Sequence, residues 1–447
     1  MGNQQINKSL NIKSTNQQEL KKTLTPIMLW GLGVGYVISG MYFGWNLGLE
    51  KGGTLGLAIA TFFIIILYVT FTFSYSELAC AIPKAGGVFD YAVRAIGKDV
   101  GFIAGMAQNI EFIFAPPAIA FAIGAYLNLI FPQFDILWIA ITVYVIFTLL
   151  NMYGVKAAAT FELIITLLAV AELLLFAGVT LPHFKSENLI HNALPNGYMG
   201  IFAALPFAIW FFLGIEGVAN VAEETVNPQK DILRGFGSAI ITLVILCIIV
   251  FIAAIGVGGW EAIVYNAGGK TSDSPLPMAM KMVVGGNSLF FRMLLTIGLF
   301  GLVASFHGLM LAGGRSTLEF GKAGYAPKFT RKVHPKFQTP ANALLINTLI
   351  GIVILLTGKT TEIITMAVFG ALTLYIIAMI SLIALRKKEP QMIRPFRVPF
   401  YPLSPILALT IAIISLFSMT FYNFNLALIY FGLIGISFLG YKIFYKK

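Results

Sequence analysis

The stretch Gly31-Leu32-Gly33-Val34-Gly35-Tyr36-Val37-Ile38-Ser39-Gly40-Met41-Tyr42-Phe43-Gly44-Trp45-Asn46-Leu47-Gly48 is apolar enough to cross a bilayer, yet six of its eighteen residues are glycine. A spanning helix needs about twenty apolar residues. A glycine inside a helix costs about 1 kcal/mol relative to alanine, and it lets backbone approach a neighbour or a ligand closely. This first span therefore reads as a membrane helix built to be interrupted. A second interrupted span carries Gly214 and Gly217 around Glu216. Close packing of helices through small residues would explain either span alone. Two such spans at corresponding places in two halves of a chain are the sequence pointer to a transport site.

Apolar runs of spanning length recur near 27–48, 55–76, 101–131, 135–153, 157–181, 200–221, 235–258, 290–313, 341–357, 361–385, 404–421 and 424–443. The expected fold class is an all-α membrane protein of about twelve transmembrane helices, with a polar tail over 1–25 and a transporter domain over 26–447. The interrupted spans are the first and the sixth. Five spans per repeat, about 27–181 and 200–385, would set two repeats in opposite orientations, with the helices of 404–443 peripheral. Composition agrees: 58% of residues are hydrophobic and 11% charged, against about 25% charged in soluble domains. A lipid-facing exterior removes the need for a charged one.

The net charge of +11 does not point to nucleic acid, because the basic residues sit in short loops between apolar runs. Numbered alternately, the loops put 24 lysines and arginines on the side of the N-terminus and six on the other. The positive-inside rule then sets both termini in the cytoplasm of a multi-pass cell-membrane protein. The polar first twenty residues do not read as a cleavable signal peptide. Cys80 and Cys247 give neither a disulfide framework nor metal spacing. Gly33-Val34-Gly35 lacks the third glycine of a dinucleotide fingerprint, Ile38 standing in its place, and no phosphate-binding loop is present. The scattered His183, His191, His307 and His334 give no metal or enzyme centre. No cofactor is expected.

Four segments give the chain a resemblance to the amino acid–polyamine–organocation superfamily. They are Gly33 to Gly40; Tyr75-Ser76-Glu77-Leu78-Ala79 with Pro83 to Tyr91; Trp210 to Gly217 with Glu223-Glu224 and Asn227-Pro228; and Gly313-Gly314-Arg315 with His334-Pro335 and Thr339-Pro340. Within it, Gly105 to Ala120 and Tyr42-Phe43-Gly44-Trp45-Asn46 are most similar to the ethanolamine permeases. The resemblance implies a LeuT-like five-helix inverted repeat, alternating access, and a small amine held between the first, third, sixth and eighth helices. Some proton-coupled relatives carry a lysine in span five; here its equivalent is about Ala169, counted from Gly154, with Glu172 one turn on. A proton is the candidate coupling ion for this chain, and the choice of ion stays open.

Charged residues at mid-bilayer cost at least about 2.5 kcal/mol each and need partners. Glu111 follows Gln108 by about one turn, and Pro116 and Pro117 deprive the Phe112 and Ile113 carbonyls of intrahelical donors. That environment suits an ammonium; a protonated Glu111 bonded within the bundle is the alternative. The expected substrate-binding residues are Ser39, Gly40, Tyr42, Gln108, Glu111, Phe112, Trp210, Phe211 and Gly214. Trp210 would cover the cation, or simply pack. Glu216, Glu172, Glu223, Glu224 and His307 are expected in coupling or gating, with structural roles open for Glu172 and His307. Glu223 and Glu224 would meet Arg234 and Arg315 at an inner gate, a solvated loop being the alternative. Glu162 is expected near the cytoplasmic end, reaching water or Lys156. An amino acid permease or exchanger is the nearest rival function; a membrane-embedded enzyme is the rival of another class.

Overall fold

The structure, a computed structural model, describes residues 22–152 and 155–444, without the side chains of 155–158, 294 and 444. Most of the expected tail, Gly154 and the Lys156 side chain lie outside the described residues. Those described are almost wholly helical, with two isolated bridges in place of any sheet. Nine helices among them are long and apolar enough to cross a membrane, and Pro26–Val37, Ile136–Met152 and Ala341–Leu355 are shorter apolar helices at the places expected for spans one, four and nine. The remaining spans include three at Lys98–Ile130, five at Val155–Thr180, seven at Pro228–Gly258, eight at Leu289–Lys322 and ten at Thr360–Lys388.

Glycine conformation explains why spans one and two do not separate cleanly in the chain. Helix Trp45–Ala81 contains a kink at Gly53, whose φ of +65° few other residues adopt. Its first turns are the far end of span one, and span two begins after the kink. Large apolar side chains stand exposed all around the bundle, such as Leu149, Ile248, Leu349 and Phe417. On a water-soluble protein that surface would aggregate; here it faces acyl chains. Spans eleven (Leu403–Tyr422) and twelve (Phe424–Phe444) bury 33% and 17% of their apolar windows, against 83% for span six, so they lie at the edge. Spans one and six occupy the centre, and span three lies against spans eight and ten.

Candidate functional site

Both central spans are interrupted. Span one runs as Pro26–Val37, breaks at Ile38, and resumes as Ser39–Tyr42 before the turn at Gly44. In an unbroken helix the Ser39 N–H would donate to the Gly35 carbonyl. Instead the Ser305 hydroxyl of span eight stands between them: it donates to the Gly35 oxygen at 2.6 Å and accepts from the Ser39 N–H at 2.8 Å. A single side chain thus holds the break open and satisfies both of its freed backbone groups. Span six is α-helical over Met199–Trp210, turns through Phe211–Gly214 with Gly214 at φ +94°, and continues as a 3₁₀ helix over Ile215–Glu224.

The two breaks touch. A methyl group on Gly40 would stand 2.5 Å from the Trp210 carbonyl oxygen and 3.0 Å from Phe211 Cα, so only glycine lets these backbones meet. The Trp210 indole lies against Gly44 and edge-on to Phe43 at 5.5 Å, with its N–H unpartnered among the described residues, while Phe211 stacks on Trp45 at 5.7 Å. Tyr36 wedges its ring between Gly217 of span six and Gly308 of span eight.

Beside the break in span six, two acids come together. The Glu111 carboxyl faces that of Glu216 and the backbone amide of Gly214. Both residues are buried. The Tyr375 hydroxyl donates to Glu216 Oε2 at 3.0 Å. Tyr68, 3.0 Å from the Tyr375 hydroxyl and 3.3 Å from the Ile209 carbonyl oxygen, can donate to one of them at a time. No hydroxyl or basic side chain among the described residues donates to either Glu111 oxygen or to Glu216 Oε1. Two carboxylates here would leave two uncompensated charges in the membrane interior, which a shared proton or a bound cation would relieve.

On the side of the bundle where the chain enters, Arg315 donates to Glu224 at 2.8 and 3.0 Å, with side chains only 7% and 5% exposed. The N–H groups of Thr23 and Leu24 donate to the Glu224 carbonyl, drawing the start of span one onto the end of span six. Gln108 donates to Ser316 at 3.1 Å and Asn220 at 3.4 Å, tying spans three, eight and six together one layer deeper. Together these contacts close this face.

Several expectations need correction. Glu162 does not reach water: it is 1% exposed, and its Oε2 lies 2.9 Å from His307 Nδ1, while the Lys156 side chain lies outside the described residues. Span five turns this face onto span eight, burying both partners. The freed Phe112 carbonyl points to Gly313 of span eight, while the Glu111 backbone packs on Gly370 of span ten. The proline-freed oxygen therefore does not stand beside the Glu111 carboxyl, because adjacent helix positions face about 100° apart. Gln108 does not join Glu111. Arg234 enters no ion pair among the described residues, and Glu223 accepts from the Ala85 N–H at 3.3 Å. Tyr42 turns to span five, donating to the Ala169 carbonyl at 3.0 Å. Glu172 lines a cavity of about 20 Å³ with Tyr126, Leu276 and Phe291. Ser39 and Gly40 do lie at the break, and Phe112 faces spans eight and nine. Sequence reasoning missed Ser305, Tyr36, Tyr68 and Tyr375.

A family model described as amino acid permease matches residues 24–439. The chain is 26% identical to the methylthioribose transporter of Bacillus subtilis, over 91% of this chain and 90% of that protein. It is 25% identical to the branched-chain amino acid permease BcaP of the same organism, with 89% and 88% covered. It is likewise 25% identical to the low-affinity putrescine importer PlaP of Escherichia coli, with 87% of each covered. These relatives are transporters.

Proposed function

We propose that this chain, which belongs to the amino acid permease family, imports a small organic amine, ethanolamine first among the candidates, by alternating access between its two broken helices. The observation that carries the reading is the pairing of Glu111 with Glu216, two buried carboxyls beside the backbone of a broken helix, with no basic partner among the described residues. An amino acid brings its own carboxylate, for which exposed backbone N–H groups suffice. A bare ammonium brings none, so the protein must supply the negative charge, and here it supplies a surplus. Glu111 acts as the counter-ion, and Glu216 holds the break and shares the charge with it. Trp210 and Phe211 form the apolar wall, and Ser39, Gly40 and Gly214 contribute backbone at the breaks. The putrescine importer among the relatives handles an amine, which supports this substrate class. The similarity over Gly105 to Ala120 supports ethanolamine within it.

The charge asymmetry of the loops favours cytoplasmic termini, so the face closed by Glu224 and Arg315 is the inner gate. The two five-span halves are its moving parts. Uptake of labelled ethanolamine, alanine and arginine by the reconstituted protein, with and without a pH gradient, tests the reading. Saturable ethanolamine uptake that neither amino acid competes away is expected. Preferred uptake of alanine would replace the amine with a zwitterion.

A further inference from the structure

Glu162 and His307 form a second buried acidic centre, against the last turn of span one. His307 Nδ1 is 2.9 Å from Glu162 Oε2, with side chains 4% and 1% exposed. The rings of Phe147 and Phe161 stand edge-on to the imidazole at 6.2 and 5.7 Å, which keeps water from it. Glu162 Oε1 has no hydrogen-bond partner among the described residues and lies directly against Gly35, in the last turn before the break. Three of four consecutive residues of span eight therefore act on that turn. Ser305 clasps the Gly35 carbonyl, His307 holds the acid pressed on Gly35, and Gly308 receives the Tyr36 ring.

The charge count of the pair is decisive. With one proton shared between carboxyl and imidazole the pair is neutral, whichever atom holds it. Without that proton it carries one negative charge, and with a second proton one positive charge. Either is costly in a dry membrane interior. Among the described residues no neighbouring charge is free to compensate. Tyr36 faces the pair from span one, its hydroxyl among Glu162, Arg315 and Glu224, but Arg315 and Glu224 are taken by each other. Span four offers Tyr144, against Phe306. Glu172 of span five is ten residues further out, and Glu111 of span three faces span six. Span seven carries Lys230, Asp231 and Arg234 only at its end, span nine has no titratable side chain, and the Lys156 side chain lies outside the described residues.

We propose that the Glu162–His307 pair is the coupling-proton site of the transporter: it holds one proton while the inner face is closed and releases it to cytoplasmic water when span one swings away. Release leaves a carboxylate and a neutral imidazole, and the proton passes to water, so the step balances. The negative charge is tolerable only once water reaches Gly35, so loss of the proton and opening of the inner face favour each other by the same free energy. The inference rests on the transporter reading but not on ethanolamine as the substrate.

Two measurements test it. The first needs no substrate. In full-length protein in lipid nanodiscs at pH 7, the ¹⁵N-histidine resonance of His307 is assigned by its loss in His307→Gln. It should move in Glu162→Gln, and it should differ between wild type and Arg315→Met, which opens the inner gate. A His307 signal indifferent to both changes would overturn the proposal. The second is accumulation of labelled ethanolamine in proteoliposomes at zero membrane potential. One coupled proton supports up to about tenfold accumulation per pH unit. Glu162→Gln and His307→Gln should abolish accumulation while keeping exchange of labelled for unlabelled ethanolamine without a gradient, which also reports folding. Full gradient-driven accumulation in either variant would overturn the proposal. If wild type ignores ethanolamine, the substrate reading fails, and the first measurement decides the proton site alone.

Discussion

Replacing Arg315 with methionine should throw the inner gate open. The Arg315–Glu224 pair is nearly dry, and removing one member of a buried pair typically costs about 3–5 kcal/mol, because the other charge is left without a partner. Arg315 Nη1 already lacks a partner among the described residues, so the closed state is not fully compensated and the lower figure, about 3 kcal/mol, applies. In the open state both side chains meet water, so the cost falls on the closed state alone. At about 1.4 kcal/mol per decade, the equilibrium shifts toward open by about 150-fold. A cysteine at Ala312, buried beside Gly217 above the gate, reports the shift once Cys80 and Cys247 have been replaced. Its labelling by a charged thiol reagent from the inner face should quicken by about two orders of magnitude. Glu224→Gln/Arg315→Met removes both charges and should restore most of the protection. An unchanged labelling rate in Arg315→Met would refute the assignment of this pair as the gate.

Other outcomes follow from the same structure. Gly40→Ala puts a methyl group 2.5 Å from the Trp210 oxygen; overpacking of about 1–3 kcal/mol should lower the thermal unfolding midpoint and suppress uptake. Ser305→Ala removes the hydroxyl between Gly35 and Ser39, so these groups should bond directly and anneal span one. The variant should remain folded by circular dichroism while transport falls more than tenfold. At the outer face, burial pushes the Asp273 carboxyl up to about 6, against the Thr360 hydroxyl that donates to it at 3.0 Å. The closed loop therefore binds more protons than an open one between its ordinary value of 3.8 and about 6, and its stability falls as pH rises through that window. Hydrogen exchange over 271–275, corrected for intrinsic rates, should be faster at pH 7 than at pH 5, and Asp273→Asn should erase the difference.

The bundle was legible because hydropathy acts locally: a run of apolar residues must cross lipid or be buried, whatever its neighbours do. The interruptions were legible for a similar reason. Glycines such as Gly40 and Gly214 announce backbone contact or positive φ without naming the partner. Partnerships across the bundle were not legible. Glu162 stands six residues from Lys156 in the chain, and only the packing of span five on span eight turns it to His307, 145 positions away. Ser305 is one hydroxyl among many, and nothing in its surroundings in the chain distinguishes it from a residue bonding back to its own helix. Glu111 was found because a mid-span acid is expensive wherever it points. That it meets Glu216 depends on the turn at Gly214, whose direction the sequence does not encode locally.

The central claim is that Glu111 supplies the charge that binds a substrate ammonium. Equilibrium binding of labelled ethanolamine to purified wild type and Glu111→Gln tests it most directly, since glutamine keeps the shape and removes the charge. Losing one partner of a buried charge pair costs about 3–5 kcal/mol, so the variant should bind more than a hundredfold more weakly while keeping the wild-type unfolding midpoint. A folded Glu111→Gln protein that binds ethanolamine with unchanged affinity would contradict the account.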